Sequence, residues 1–426
     1  MFSFPEKVLG LVPIIPAGQK QELAQTVRSA CDWVNGDSPL AGMKPAEILC
    51  VTLLGVLLAN YLCALVRYLA SYASVKQIKV LLFRFSARFV PQVRAQIELE
   101  ITKMRTDCVK KFADKRRGTA IRRLPQDATP ESEILARITR EAKVSEGRYA
   151  NGGNVTGAVY IKDESHWNFI SDVMRLSIVS NPLHIDEFIY VTQMEAEIVR
   201  WTLDLYNGDD AACGLVSSGG TESIILSMLA YREQARAERG ITQPNMVMSE
   251  TAHCAFDKGG HYFGIEIRKV PITKDFMADL KAMKAQIDSN TICLVASAPE
   301  YAFGNYDPVA EIAALAQAHG CGCHSDCCLG SYVNPFIKEL GYPLAYEFDF
   351  SVPGVTSISC DPHKYAYGPK GCSILLFRDK KTRDYQFFCN TEWNGGLYAT
   401  TCIAGSRPGA VIAGTWASML KNGKEG

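Results

Sequence analysis

The chain has 426 residues, of which 47% are apolar and 21% charged, a length that can bury more than one hydrophobic core. Its 45 Lys and Arg balance its 45 Asp and Glu, so the net charge is zero and offers no electrostatic argument for nucleic-acid binding. The balance hides an asymmetry: residues 67–124 carry fifteen Lys or Arg against four Asp or Glu, an excess near +11 that the rest of the chain offsets.

Residues 1–18 are apolar but are broken by Pro5, Pro13 and Pro16 and lack a basic start, which argues against a cleaved signal. The one long uncharged run, residues 48–66, has 19 residues, close to the ~20 a helix needs to cross a bilayer. It reads as a single transmembrane helix, with Gly55 and Asn60 leaving a buried core helix as the alternative. Arg67, Lys76, Lys79, Arg84 and Arg88 follow it, so the positive-inside rule puts residues 1–46 in a lumen and everything after Val66 in the cytosol. Residues 67–146 read as a basic juxtamembrane connector and N-terminal helical region, with helical character over 96–112 and a further helix start at Pro130-Glu131-Ser132-Glu133. Cytosolic placement would leave the sequon Asn154-Val155-Thr156 without a glycan.

From about residue 190, helical patterns at 195–205, 222–239 and 308–319 alternate with short apolar runs at 214–217, 291–296, 322–326, 355–360 and 373–377. That alternation predicts an α/β fold with a largely parallel sheet flanked by helices and sites beyond the strand C-termini. The loop Ser217-Ser218-Gly219-Gly220-Thr221-Glu222-Ser223 leads from the first run into a helix, so its N–H groups and the helix dipole converge and favour an anion. It lacks the Lys of a nucleotide phosphate loop and the third Gly of a dinucleotide fingerprint, so a single phosphate monoester fits better.

The run Cys321-Gly322-Cys323-His324-Ser325-Asp326-Cys327-Cys328 offers soft ligands at close spacing. On one strand, however, they alternate between faces and cannot close a tetrahedral site, so buried, reduced cysteines are expected and no metal. Asp326 by itself reads as an ordinary loop carboxylate. Ser359-Cys360-Asp361-Pro362-His363-Lys364 places a lysine after a strand-like run and before the turn Gly368-Pro369-Lys370-Gly371. Alone, it also fits a surface lysine ending a strand. As a reactive amine, Lys364 would be held at the strand end with its pKa lowered by burial and a neighbouring cation. The anion loop, Asp326 and, 38 positions later, Lys364 together match the parts that hold pyridoxal 5'-phosphate: the carboxylate keeps the ring nitrogen protonated and the lysine bonds the aldehyde.

Over residues 147–409 the chain resembles the sphingosine-1-phosphate lyases, a membrane-anchored branch of the group II pyridoxal phosphate decarboxylase superfamily. The segments that carry the resemblance are Gly157-Ala158-Val159-Tyr160, Ser180-Asn181-Pro182-Leu183-His184, Ser218-Gly219-Gly220-Thr221-Glu222-Ser223, Ala252-His253-Cys254, residues 354–371, and Ile403-Ala404-Gly405-Ser406-Arg407-Pro408-Gly409. The resemblance implies a fold-type I catalytic domain over residues 147–426, a homodimer, and a single-pass protein of the endoplasmic reticulum membrane. It implies a carbon–carbon lyase that cleaves sphingosine 1-phosphate or related long-chain base phosphates to a fatty aldehyde and phosphoethanolamine by a retro-aldol step. Lys364, His253 and Asp326 match the catalytic group, with His253 stacked on the cofactor ring. Gly219, Gly220, Thr221 and His363 match cofactor contacts, and Ser406 matches a phosphate contact supplied from the neighbouring subunit. Asn181, His184 and Lys370 match the substrate site. The chain departs from the family at Pro362, at Gly368-Pro369 and at Ser325-Asp326-Cys327, where the family has Thr, Ala-Pro and Val-Asp-Ala. Family chains also continue past Gly409 into a C-terminal small domain, expected to be mostly missing here. That leaves open a truncated, catalytically weak membrane protein, or an amino-acid decarboxylase.

Overall fold

The computed structural model describes residue 51 and residues 54–63, 82–83, 85–115, 121, 123–145, 157–344 and 346–426. The expected lumenal segment 1–46 and the sequon at Asn154 lie outside the described residues. The chain falls into two units, residues 1–97 and 98–426. In the first, residues 54–63 are helical and expose Leu54, Leu57, Leu58 and Tyr61. Among the described residues no helix is long and apolar enough to cross a membrane, and the rest of the 48–66 run, apart from Val51, lies outside them. Two further helices follow, α1 (Pro91–Lys115) and α2 (Glu131–Ser145). The first starts five residues before the expected 96–112, because proline at the first helical position has no N–H to lose.

The second unit is built on a seven-stranded sheet. In chain order its elements are α3 (Glu164–Leu176), α4 (Ile189–Leu205), β1 (Cys213–Ser217), α5 (Gly220–Arg239), β2 (Asn245–Ser249), α6 (Ala255–Phe263), β3 (Glu266–Val270), α7 (Leu280–Gln286) and β4 (Thr291–Ser297). Then come α8 (Val309–Ala318), β5 (Gly322–Asp326), β6 (Ser357–Cys360), α9 (Pro362–Tyr365), β7 (Ser373–Phe377) and α10 (Lys380–Asp384). A small hairpin of β8 (Phe388–Asn390) and β9 (Tyr398–Thr400) precedes α11 (Gly409–Asn422). The strand order is β1-β7-β6-β5-β4-β2-β3, with β7 antiparallel to both neighbours and every other pair parallel. The expected largely parallel sheet is therefore present, with one reversed strand.

Helices cover both faces, so the central strands are buried on both sides, and β4 is buried at every position. Alternate β4 residues feed different cores: Leu294 and Ala296 pack with Ile198, Ile312 and Ile358, whereas Cys293 and Val295 pack with Ile224, Met228 and Phe256. The same period of two holds on β5, where Cys323 joins the first core and the His324 ring meets Phe256 of the second. Adjacent members of the cysteine-rich run thus point to opposite faces. Asp326 ends β5 and Cys360 ends β6, beside the loop that leaves β1.

Candidate active site

The turn from β1 into α5 makes the anion loop. Gly220 and Thr221 open the helix, where N–H groups have no intrahelical acceptor. The buried Glu222 carboxylate stabilises the loop, accepting from Ser218 N (2.7 Å) and from Ile403 N (3.0 Å), so it ties the 403–404 segment to the loop. Gly220 has to be glycine: a Cβ there would lie 2.8 Å from Asp361 Oδ2 and 2.9 Å from Cys328 Sγ.

Facing this loop, β6 ends and the chain turns through Asp361 (φ −118°, ψ 97°) into the single turn α9, with Pro362 at its first position. Lys364 therefore sits on a short helix rather than at the strand end itself, since Pro362 presets helical φ immediately after the strand. Lys364 Nζ lies 2.9 Å from Asp361 Oδ2, and His363 Nε2 lies 3.8 Å from the same oxygen. The second carboxylate oxygen, Asp361 Oδ1, is buried without a hydrogen-bond partner. The expected lowering of the Lys364 pKa is corrected here. Burial acts in that direction, but the adjacent Asp361 carboxylate, reinforced by Cys328 and Asp326, outweighs it and raises Lys364 above the ordinary lysine value. Burial also keeps His363 below its usual value against the pull of Asp361, and its Nδ1 meets the carbonyl of Cys372.

The loop glycines, Thr221, His253, His363 and Lys364 line one cleft of about 670 Å³, together with Cys328 and Asp361. His253 is exposed on its wall and accepts from Ala255 N through Nδ1 (3.1 Å), which fixes the ring at the start of α6. Asp326 is buried behind Cys328 rather than on the wall; its Oδ1 accepts from Ser359 Oγ (3.0 Å) and Cys328 N (3.1 Å). A second cleft of about 530 Å³ shares His363 and Lys364 with the first and adds Tyr160, Tyr367 and Lys370. Lys370 Nζ sits 4.3 Å from the Tyr160 ring centroid and donates to His363 O (3.1 Å). Burial and the charge of Lys364 lower its pKa.

Not every expected residue gathers here. Asn181 Nδ2 donates to Ser406 Oγ (3.1 Å), and Asn181 Oδ1 accepts from Arg407 N (3.1 Å), so these residues form their own patch. His184 is exposed on the turn after Asn181, and neither cleft is lined by Asn181, His184 or Ser406. Reading residues alone singled out neither Asp361 nor Cys328. The Asp361 signal was available, because an acidic residue three positions before a lysine on one helical turn must face it. Cys328 reaches the cleft only through the β5–β6 register, which no local pattern encodes.

A model of the pyridoxal-dependent decarboxylase conserved domain matches residues 154–424. The chain is 42% identical over 343 residues to sphingosine-1-phosphate lyase 1 of Mus musculus, covering 80% of this chain and 59% of that one. It is 38% identical over 396 residues to the sphingosine-1-phosphate lyase of Oryza sativa subsp. japonica, covering 91% and 72%. Among solved structures, the sphingosine-1-phosphate lyase of Burkholderia pseudomallei K96243 superposes with a TM-score of 0.70 at 40% identity, over 72% of each chain. Lactobacillus brevis glutamate decarboxylase shares the fold, with a TM-score of 0.61 at 22% identity over 74% of this chain and 72% of that one. The chain spans 63% of the length of its Drosophila melanogaster relative and 59% of the mouse one.

Proposed function

The chain belongs to the pyridoxal-dependent decarboxylase family, with sphingosine-1-phosphate lyases among its relatives, and from that membership we propose that it is a carbon–carbon lyase acting on long-chain base phosphates. The observation that carries the reading is that the fold brings Gly220, at the mouth of α5, and Lys364, just past β6, into one cleft. The residues present fit pyridoxal phosphate: the loop leaves open the space a Cβ would fill, and a lysine faces the same cleft with carboxylates beside and behind it.

Bound there, the cofactor supplies an aldehyde that an amine can bond and a ring that accepts electrons from a breaking carbon bond. The amides of Gly220 and Thr221 and the α5 dipole would hold its phosphate. Lys364 Nζ would hold its aldehyde, His253 would lie against its ring, and Asp326, buried behind Cys328, would be the carboxylate for its ring nitrogen. Lys370, beside Tyr160 in the second cleft, is the cation placed to bind the substrate's own phosphate. The C3 hydroxyl would give its proton to Lys364 Nζ, free as a neutral amine while the substrate amine is engaged, the C2–C3 bond would break with C3 leaving as a fatty aldehyde, and the Lys364 ammonium so formed would return that proton to C2 of the departing phosphoethanolamine. The direct test is fatty-aldehyde release from a sphingoid base phosphate, run beside carbon dioxide release from glutamate and an aromatic amino acid. Aldehyde alone supports the lyase; carbon dioxide without aldehyde would move the chain to the amino-acid decarboxylases.

The proposal extends to an endoplasmic reticulum anchor at residues 48–66 and to a homodimer. The exposed apolar helix at 54–63, followed by the basic block, supports the anchor. The Asn181–Ser406 patch, separate from the chain's own clefts, suits a contribution to a partner subunit's site. Protease added to sealed microsomes is expected to digest the catalytic unit and spare residues 1–46, with Asn154 unglycosylated. A glycan on Asn154 would invert this topology. Sedimentation of the detergent-extracted protein as a monomer would remove the dimer.

A further inference from the structure

Behind the cleft, a row of polar side chains runs through the otherwise apolar sheet to Asp326. Tyr231 OH, from α5, lies 2.6 Å from Ser357 Oγ, which lies 2.7 Å from His324 Nδ1. His324 Nε2 lies 3.1 Å from Ser359 Oγ, which donates to Asp326 Oδ1 at 3.0 Å. Tyr231, His324, Ser357 and Ser359 are at most 3% exposed, so no bulk water completes their hydrogen bonds. A carboxylate accepts only, and Ser359 has one hydroxyl proton. With that proton committed to Asp326, Ser359 Oγ can only accept from His324, which places the imidazole proton on Nε2. His324 Nδ1 is then an acceptor, and Ser357 must donate to it. Every link from Ser357 onward points its proton toward Asp326, and aligned hydrogen bonds of this kind polarise one another.

We infer that His324 is a positioning residue for Asp326: it relays a directed hydrogen-bond chain through Ser359 that fixes the orientation of Asp326 Oδ1 and supplies it with a polarised donor. The inference rests on the role given to Asp326 above. Burial lowers the His324 pKa to about 4 against the pull of Asp326, in keeping with a neutral relay. The ring also packs edge-on against Phe256, at 5.9 Å between centroids, a contact that adds to the two hydrogen bonds in favouring this orientation. The layout matches the outer shell of a metal-bound histidine, where the second partner sets which nitrogen carries the proton, except that here a carboxylate stands at the end.

The test is nitrogen NMR of the full chain, labelled in histidine and loaded with pyridoxal phosphate, with the His324 signals assigned by their loss in His324→Gln. The expected spectrum is a neutral ring carrying its proton on Nε2 at pH 7. A proton on Nδ1, or a charged ring, overturns the inference. This readout needs no substrate, so it stands apart from failure of the lyase reading. A second arm uses two variants. His324→Gln keeps an acceptor for Ser357 and a donor for Ser359 and is expected to retain kcat within about threefold, whereas His324→Leu keeps the bulk but neither bond and is expected to lose about tenfold or more in kcat with little change in KM. Wild-type kcat in the leucine variant would show that the ring only fills space, and equal losses in both variants would show that the two hydrogen bonds do not set kcat; either result overturns the inference. If the leucine variant does not fold, the tautomer alone decides.

Discussion

Replacing Lys364 by alanine is expected to abolish the visible absorbance that the wild-type chain develops with pyridoxal phosphate and to reduce turnover by at least about a thousandfold. The geometry gives the reason. Lys364 is the lysine that lines both clefts, and its Nζ is held by Asp361 at 2.9 Å next to the Gly220 loop. Lys258 also lines the first cleft, and Lys162 and Lys370 line the second, but none of these three borders both. Borohydride reduction of the loaded wild-type chain, followed by peptide mapping, should place the cofactor on the peptide containing Lys364. A label on Lys258 or Lys370, with the visible band surviving in Lys364→Ala, would reassign the reactive amine. Folding of the variant is checked separately, because loss of the amine leaves Asp361 as a buried carboxylate without its cation.

The sequence disclosed the strands that carry the site better than those that do not. β5 and β7 were legible to the residue because they lie inside the sheet and are bounded by turns at Gly320 and Gly371, both with positive φ. The edge strand β3, Glu266–Val270, carries no such signal: it pairs on one side only and sets the adjacent Arg268 and Lys269 between Ile267 and Val270, which breaks both an apolar run and an alternation. β2 was missed although it is fully buried, since Asn245-Met246-Val247-Met248-Ser249 has one β-branched residue and polar ends. The same contrast holds for the site. Lys364, Gly220 and Thr221 announce themselves through turns and glycines, which are local. The hydrogen bonds linking His324 to Ser357 and Ser359 depend on strand register, so a residue read as one member of a cysteine-rich run is instead part of a polar row through the sheet. The Lys364 shift runs opposite to the expected lowering because the adjacent His363 does not supply the expected cation. Burial keeps that ring below its usual value, and Asp361 supplies the dominant field instead.

Asp361→Asn is expected to change how stability depends on pH near Lys364. In the wild-type chain the folded-state pKa of Lys364 is raised, so the pair contributes stability at every pH below the unfolded lysine value of ~10.4, and that contribution fades only as pH rises through the folded value. Without that carboxylate, burial is opposed only by the weaker pull of groups such as Asp326, and the folded value is expected to fall below the unfolded one. The ammonium then destabilises the fold at neutral pH and does so less as pH rises toward ~10.4, so stability, which the wild-type pair leaves nearly level between pH 8 and 10, instead rises with pH there. The size of the loss is bounded. Breaking a buried pair costs about 3–5 kcal/mol, yet Lys364 can shed its proton at about 1.4 kcal/mol for each unit between the working pH and ~10.4, which caps the penalty near 3 kcal/mol at pH 8. Denaturant melts at closely spaced pH values, with and without the substitution, measure the difference directly, and parallel profiles across pH 8–10 would show that Asp361 does not set the charge state of Lys364. The same shift has a chemical consequence: an amine that is neutral more of the time at pH 8 should capture pyridoxal phosphate faster in the variant, even though the complex, missing the carboxylate that aims the lysine, should hold the cofactor less tightly.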